Sequence, residues 1–296
     1  MTTRVEERPL LCFGENQTHG ALLCAPSYTP LALLILVPGS GPTTRDGIPV
    51  SEQIEGTHPP FAVWSNHLVA QRYAVVRYDK HRASTMSESL CFSPPAGIAQ
   101  EYDLDLDSVI AAIQDGDTAN RSPIILVGHS LGAIGALHYA RKNRRIKAVA
   151  AISAPPFGLI ALLKHQLRGL LPEANYQALS VDLDRVQEPG STHTALGAPA
   201  SYWQDYEKHT LEHLLFTRHR QLPALLLYGE KDALIPNELV IALHQRLRDR
   251  SQISFEVVPG ADHFLMVRPP TQKGDDGDYE LSRLVEWLRK ISPPTG

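Results

Sequence analysis

Cysteine is scarce in this chain: Cys12, Cys24 and Cys91 are the three in 296 residues. An odd number this small closes no disulfide framework, and none of the three sits in a Cys-x-x-Cys pair. A reducing compartment fits them best. Long apolar runs are missing too. The strongest, Leu31–Val37, falls far short of the roughly 20 residues of a membrane span and reads as a buried strand. Excess positive charge is also absent: the formal net charge is -4, which provides no basic field for nucleic acid or anionic lipid. The opening Met-Thr-Thr-Arg-Val-Glu-Glu-Arg-Pro is too charged for a signal peptide and leads into no apolar core. Internal repeats and low-complexity tracts are lacking. These absences point to a cytoplasmic protein that engages neither membrane nor nucleic acid.

What the chain does have is an ordinary globular balance, 43% apolar and 20% charged, with length for one large domain or two modest ones. Short apolar runs alternate with helical patterns, the mark of a mostly parallel sheet covered by helices on both faces. Strands are expected at Leu10–Phe13, Ala21–Ala25, Leu31–Val37, Arg72–Tyr78, Pro123–Val127, Ile146–Ile152, Ala224–Tyr228 and Ile253–Val258. Helices are expected near Phe61–Gln71, Asp103–Gln114, Leu131–Arg141, Glu238–Leu247 and Tyr279–Lys290. The strand rhythm stops between Pro155 and Gln221, where apolar spacing becomes helical. Because strands of one sheet resume beyond it, residues 155–221 read as a helical cap inserted into a core of residues 1–154 and 222–296.

Three segments carry chemistry. Gly128-His129-Ser130-Leu131-Gly132 follows an apolar strand and precedes a helix-forming run, the context in which G-x-S-x-G presents a nucleophilic serine on a sharp turn. The flanking glycines admit close backbone contact there. Asp232 lies just past the strand Ala224–Tyr228, with Glu230 as its local rival, and His263 lies just past Ile253–Val258. Serine, acid and histidine thus each sit beyond the carboxyl end of a strand, where parallel sheets place their sites. A serine hydroxyl needs a base, histidine titrates near working pH, and an acid fixes the imidazole tautomer. Ser130, His263 and Asp232 are the candidates for those roles. Among other histidines, His19, His58, His67 and His81 lack a matching acid position, and the tight turn aims His129 away from the hydroxyl.

An oxyanion hole requires two donors near Ser130. The Leu131 backbone N–H supplies one, and the loop Pro38-Gly39-Ser40-Gly41-Pro42 supplies the other through Ser40, with Gly39 or Gly41 as alternatives. The chain resembles the α/β-hydrolase superfamily along nearly its whole length. The loop Pro38–Gly47 resembles a branch of bacterial carboxylesterases with a GSGPxxRDG-type segment, as does Arg77-Tyr78-Asp79-Lys80 at a strand end. That resemblance implies an α/β-hydrolase sheet and hydrolysis of small carboxylic esters or thioesters without a cofactor or metal. Two departures stand out. His81-Arg82-Ala83-Ser84-Thr85 replaces the branch's R-G-x-G-x-S turn, and Pro38 replaces the histidine that many members carry before the oxyanion glycine.

Gly39, Gly41, Arg45, His129, Leu163 and Trp203 are the candidate contacts for a small-molecule acyl substrate. For Arg45 the competing reading is pairing with Asp46 or capping of its own loop. For Leu163 and Trp203 it is packing inside the cap. The cysteines have no partner histidine at a motif position, so a cysteine nucleophile is not expected. Asp103, Asp105 and Asp107 are spread around a helix start, which does not suit a metal. Acyl transfer or amide hydrolysis on the same residues, or a hydrolase-like binding protein without activity, are the alternative functions.

Overall fold

The apolar runs become the middle of one eight-stranded sheet. Leucine, isoleucine and valine fill strands that are buried at nearly every position, so both faces must be covered. The computed structural model describes residues 5–12, 18–25, 28–49, 59–80, 95–114, 122–216, 222–271 and 277–293. Its elements begin with β1 (Glu6–Cys12), β2 (Thr18–Cys24), β3 (Leu33–Val37), α1 (Pro60–Ala70) and β4 (Ala74–Tyr78). A π-helical turn (Ala99–Asp103) then leads into α2 (Leu104–Gln114), β5 (Ile124–His129), α3 (Leu131–Lys142) and β6 (Ile146–Ile152). The segment between β6 and the next sheet strand holds α4 (Leu159–Leu167), α5 (Glu173–Arg185), the short pair β7 (Thr194–Ala195) and β8 (Ala198–Pro199), α6 (Ala200–Lys208) and α7 (Leu211–Phe216). The chain closes with β9 (Ala224–Gly229), α8 (Asn237–Leu247), β10 (Ile253–Val258), the short pair β11 (Met266–Arg268) and β12 (Asp278–Tyr279), and α9 (Ser282–Ile291).

The strand order is β1-β2-β4-β3-β5-β6-β9-β10. β1 with β2, and β2 with β4, pair antiparallel; every other pair in this sheet is parallel. Alternation along β3 divides the core. Leu33, Ile35 and Val37 face a cluster shared with α2, α3 and α8, while Leu34 and Leu36 face one shared with α1 and α9. Residues of the inserted segment, among them Ile160, Leu183, Val186 and Trp203, form a third cluster of their own. Among the described residues no helix is long and apolar enough to cross a membrane.

Ile146–Ile152 and Ile253–Val258 have the expected bounds, and the other sheet strands shift by a few residues. β1 starts earlier, at Glu6, because pairing with β2 from Glu6↔Cys24 to Cys12↔Thr18 extends it through polar residues; Phe13 lies outside the described residues. Pro9 is tolerated there because β1 is an edge strand. β4 starts at Ala74 rather than Arg72, since Arg72 adopts a turn with φ 72°. The last helix starts at Ser282 rather than Tyr279, which pairs with Met266 instead.

Candidate functional site

Parallel pairing brings the carboxyl ends of β5, β6, β9 and β10 to one edge: Gly128 opposes Ala151, Ile152 opposes Leu227, and Val258 opposes Gly229. Ser130 leaves β5 with φ 52° and ψ -128°, a conformation L residues rarely adopt, and its N–H is held by the Ile152 carbonyl at 2.8 Å. The motif glycines are sterically required. A Cβ on Gly128 would stand 2.5 Å from Ala133 Cα, and one on Gly132 would stand 2.3 Å from the Pro38 carbonyl oxygen. The second contact brings the 38–42 loop against the start of α3. Gly39 then faces Ser130, since a Cβ there would lie 3.4 Å from Ser130 Cβ. Leu131, the first residue of α3, has a backbone N–H with no intrahelical partner.

β10 lies three strands from β5, roughly 14 Å at about 4.8 Å per strand. A histidine following β10 reaches Ser130 only if its loop doubles back across the ends of β9 and β6. That path is marked by contacts. Gly229 lets the loop pass closely, as a Cβ there would meet the Asp262 carbonyl oxygen at 2.2 Å. Lys231 N–H donates to the Ala261 carbonyl at 2.7 Å. Ser153 Oγ and His129 Nε2 then both donate to the His263 carbonyl, at 2.8 and 3.0 Å. The carbonyl acceptor fixes His129 as its Nε2–H tautomer.

Asp232 Oδ2 lies 2.7 Å from His263 Nδ1, with the two side chains 1% and 11% exposed. Its other oxygen accepts the N–H groups of Leu234 and Ile235 at 2.8 and 3.0 Å, which aims the carboxylate. In the neutral ring this contact favours the tautomer with the proton on Nδ1, toward Asp232, and the lone pair on Nε2. Glu230, the rival acid, points elsewhere and accepts the Gly260 N–H at 2.8 Å.

Several expected substrate contacts are otherwise engaged. Arg45 reaches Asp79, with Nη2 to Oδ2 and the backbone N–H to Oδ1 both at 2.7 Å, while Asp46 pairs with Arg77. Neither of the two residues pairs with the other; both brace the loop against β4. His129 is buried among Phe61, Trp64 and Phe264, its ring stacked on Phe264 at 4.3 Å. Burial, and after it the neighbouring His263, hold its pKa well below the usual histidine range. In the structure it supports the histidine loop. Trp203 is 3% exposed inside the insertion's own cluster, with Leu163 packed against it, and its Nε1–H donates to the Ala198 carbonyl at 3.2 Å. Both take part in the packing of that cluster.

Burial pushes the Cys12 thiol up to about 12, which suits a core residue; Cys91 and the loop His81–Thr85 lie outside the described residues. Asp103 pairs with His138 and Lys142, and Asp107 accepts the Tyr139 hydroxyl at 2.6 Å. Among the described residues no group of three or more His, Cys, Asp or Glu is arranged to hold a metal ion. Sequence reasoning missed Gly229 and Ser153. It also missed Lys80, Glu101, Tyr102 and Tyr206, which gather beneath the Gly39 carbonyl.

Comparison with known proteins adds the family. None of the curated proteins compared with the chain matches it. Solved structures do. The esterase domain of a Rhodothermus marinus protein superposes with a TM-score of 0.56 at 20% identity, covering 97% of this chain and 98% of that one. An esterase of Pyrococcus furiosus gives 0.56 at 16% identity, over 97% and 91% of the two chains. A putative dienelactone hydrolase of Klebsiella pneumoniae gives 0.54 at 18% identity, over 97% and 99%. At these identities the likeness is one of fold. A family model matches residues 34–272, from the first central strand to beyond His263. On that match the chain belongs to the alpha/beta hydrolase family.

Proposed function

We propose that the protein is a serine hydrolase that cleaves a small carboxylic ester or thioester through an acyl-enzyme intermediate. His263 Nε2 takes the proton of Ser130 Oγ as that oxygen attacks the acyl carbonyl. The tetrahedral oxyanion is received by the backbone N–H groups of Leu131 and Ser40. The protonated imidazole returns its proton to the leaving alcohol or thiol, and the acyl group remains on Ser130. Water, deprotonated by the same Nε2, then attacks the acyl-enzyme; the acyl bond to Ser130 Oγ breaks, that oxygen takes the proton back from the imidazolium, and the acid is released. Asp232 holds the tautomer and stabilises the imidazolium. No step needs a cofactor.

The observation that carries this reading is the 2.7 Å contact between Asp232 Oδ2 and His263 Nδ1, which leaves Nε2 free to act as a base. The strained turn at Ser130 supports it. So does the esterase activity named for two of the similar folds. The Pro38–Gly47 loop and Arg77–Lys80 favour the carboxylesterase branch that they resemble. We read residues 155–221 as a cap on a core of residues 1–154 and 222–296, because that segment has its own apolar cluster yet places Tyr206 in the main core.

A fluorophosphonate probe should modify Ser130 and no other serine, as read by peptide mass spectrometry. Ser130→Ala should lose the label and lower kcat by about 10⁶ on whichever ester, thioester or amide a graded screen identifies. Turnover retained by the alanine variant would remove Ser130 from the mechanism.

A further inference from the structure

A second set of buried polar groups lies under the 38–42 loop and takes no part in the chemistry described above. Lys80 Nζ stands 2.6 Å from Glu101 Oε1, with side chains 3% and 5% exposed. Removing such a pair from water carries a large desolvation penalty, so its retention asks what geometry it fixes. Here the answer is a single carbonyl. Lys80 Nζ and the Tyr102 hydroxyl both donate to the Gly39 oxygen, each at 3.0 Å. The ammonium also lies 4.3 Å over the Tyr102 ring, and that ring is wedged against α3, where a Cβ on Gly135 would meet it at 2.4 Å. The π-helical turn makes this possible by turning Glu101 and Tyr102 inward at consecutive positions, both buried. Burial pushes both the Tyr102 and Tyr206 phenols up, so they stay O–H donors at working pH.

A planar trans peptide points its C=O and N–H in opposite directions. Two donors that fix the Gly39 carbonyl therefore also fix the Ser40 N–H, on the side away from Lys80. The other oxygen of Glu101 accepts the Tyr206 hydroxyl at 2.8 Å, and Tyr206 belongs to α6 of the inserted segment. Next to it, Asp205 Oδ2 accepts the Ile98 N–H at 2.8 Å, which seats α6 on the π-helical turn. We propose that Lys80, Tyr102, Glu101 and Tyr206 are positioning residues that orient the Ser40 N–H for the oxyanion, and that this chain of contacts makes the rate of acyl transfer depend on how the inserted segment is seated. The inference rests on the hydrolase reading above and on Ser40 as donor.

The test compares full-length Tyr102→Phe and Tyr206→Phe with the parent protein. Lys80→Met strands Glu101 in the interior and sacrifices folded protein, whereas these two remove one hydroxyl each. Readouts are kcat and KM for a small nitrophenyl ester, the inhibition constant of a trifluoromethyl ketone that forms a tetrahedral adduct on serine, and thermal unfolding. Tyr102→Phe should lower kcat by about 10- to 100-fold with KM changed less than about twofold. Trifluoromethyl ketone affinity should fall in step with kcat/KM, and Tyr206→Phe should move both in the same direction by less. A merely structural role lowers the unfolding temperature and leaves kcat and ketone affinity at parent values; that result in folded, probe-labelled protein overturns this inference alone. Failure of the parent protein to label at Ser130 overturns the hydrolase reading with it.

Discussion

His129 and His263 lie edge to face with ring centroids 4.8 Å apart, and the first histidine donates its Nε2–H to the backbone carbonyl of the second. The residue next to Ser130 thus holds the loop that carries His263. Burial in an aromatic enclosure disfavours the charged form of that first imidazole.

A pH dependence of stability follows. The His129 pKa is depressed in the folded state, first by burial, so the unfolded chain binds a proton near pH 6.5 that the native state refuses. The penalty is absent above that pH and grows as pH falls, at up to about 1.4 kcal/mol per pH unit, until the depressed native value is reached. Denaturant melts between pH 7.5 and 5 should show a steeper loss for the parent than for His129→Gln. Parallel curves would mean that His129 is already protonated in the fold.

The acid can be tested against its neighbour. Asp232→Asn keeps an oxygen for the Leu234 and Ile235 N–H groups but sets an amide against Nδ1, so folding is retained and kcat drops by roughly 10⁴. Glu230→Gln, which touches only the Gly260 N–H, should stay within about threefold of the parent. The reverse order would move the acid role to Glu230.

Gly132 should tolerate no side chain. A Cβ there stands 2.3 Å from the Pro38 oxygen, backbone against backbone, so Gly132→Ala must push the 38–42 loop away from α3. Overpacking of this kind destabilises by about 1–3 kcal/mol, and the displaced loop should lower kcat well beyond what the lost stability explains. Gly190, with open space around it, is the control. Its own positive φ of 73° sets a mild backbone penalty for alanine of about 1 kcal/mol, without effect on kcat.

Trp203→Ala separates packing from specificity. The indole fills the insertion's own cluster and donates to Ala198, so its removal should destabilise that segment by about 3–5 kcal/mol. The ranking of acyl chain lengths should not change. A reordered ranking in protein of parent stability would return Trp203 to the substrate pocket.

Much of this arrangement was legible in the residues because the signals are local. Ser130 lies between required glycines, Asp232 follows the apolar run of β9, and His263 follows the alternating apolar and polar residues of β10. Ile146–Ile152 keeps its bounds since burial on both faces leaves an apolar stretch broken only by the exposed Lys147. What could not be read is what depends on partners distant in sequence. Nothing near Lys80 announces Glu101, 21 positions away, or ties Glu101 to Tyr206, 105 positions on. Gly229 reads as an ordinary turn glycine until the Asp262 carbonyl is seen passing over it. Trp203 and Leu163 show helical spacing, and spacing alone does not distinguish a helix face that roofs a pocket from one that packs on its neighbours.

If Ser130 and His263 act as proposed, the doubling back of the loop after β10 also determines when reactivity can exist. His129 and His263 touch across 134 positions of chain, and β6, the inserted segment and β9 all lie between them. Until β6 and β9 have joined the sheet, β10 has no neighbour to dock on, and the His263 imidazole is not held beside Asp232. A chain still being made, or one opened at its β9–β10 edge, therefore presents an ordinary alcohol rather than an activated one. On the proposed mechanism the protein acquires its chemistry only with the last strand of its main sheet in place, and an unfinished or damaged copy is chemically silent.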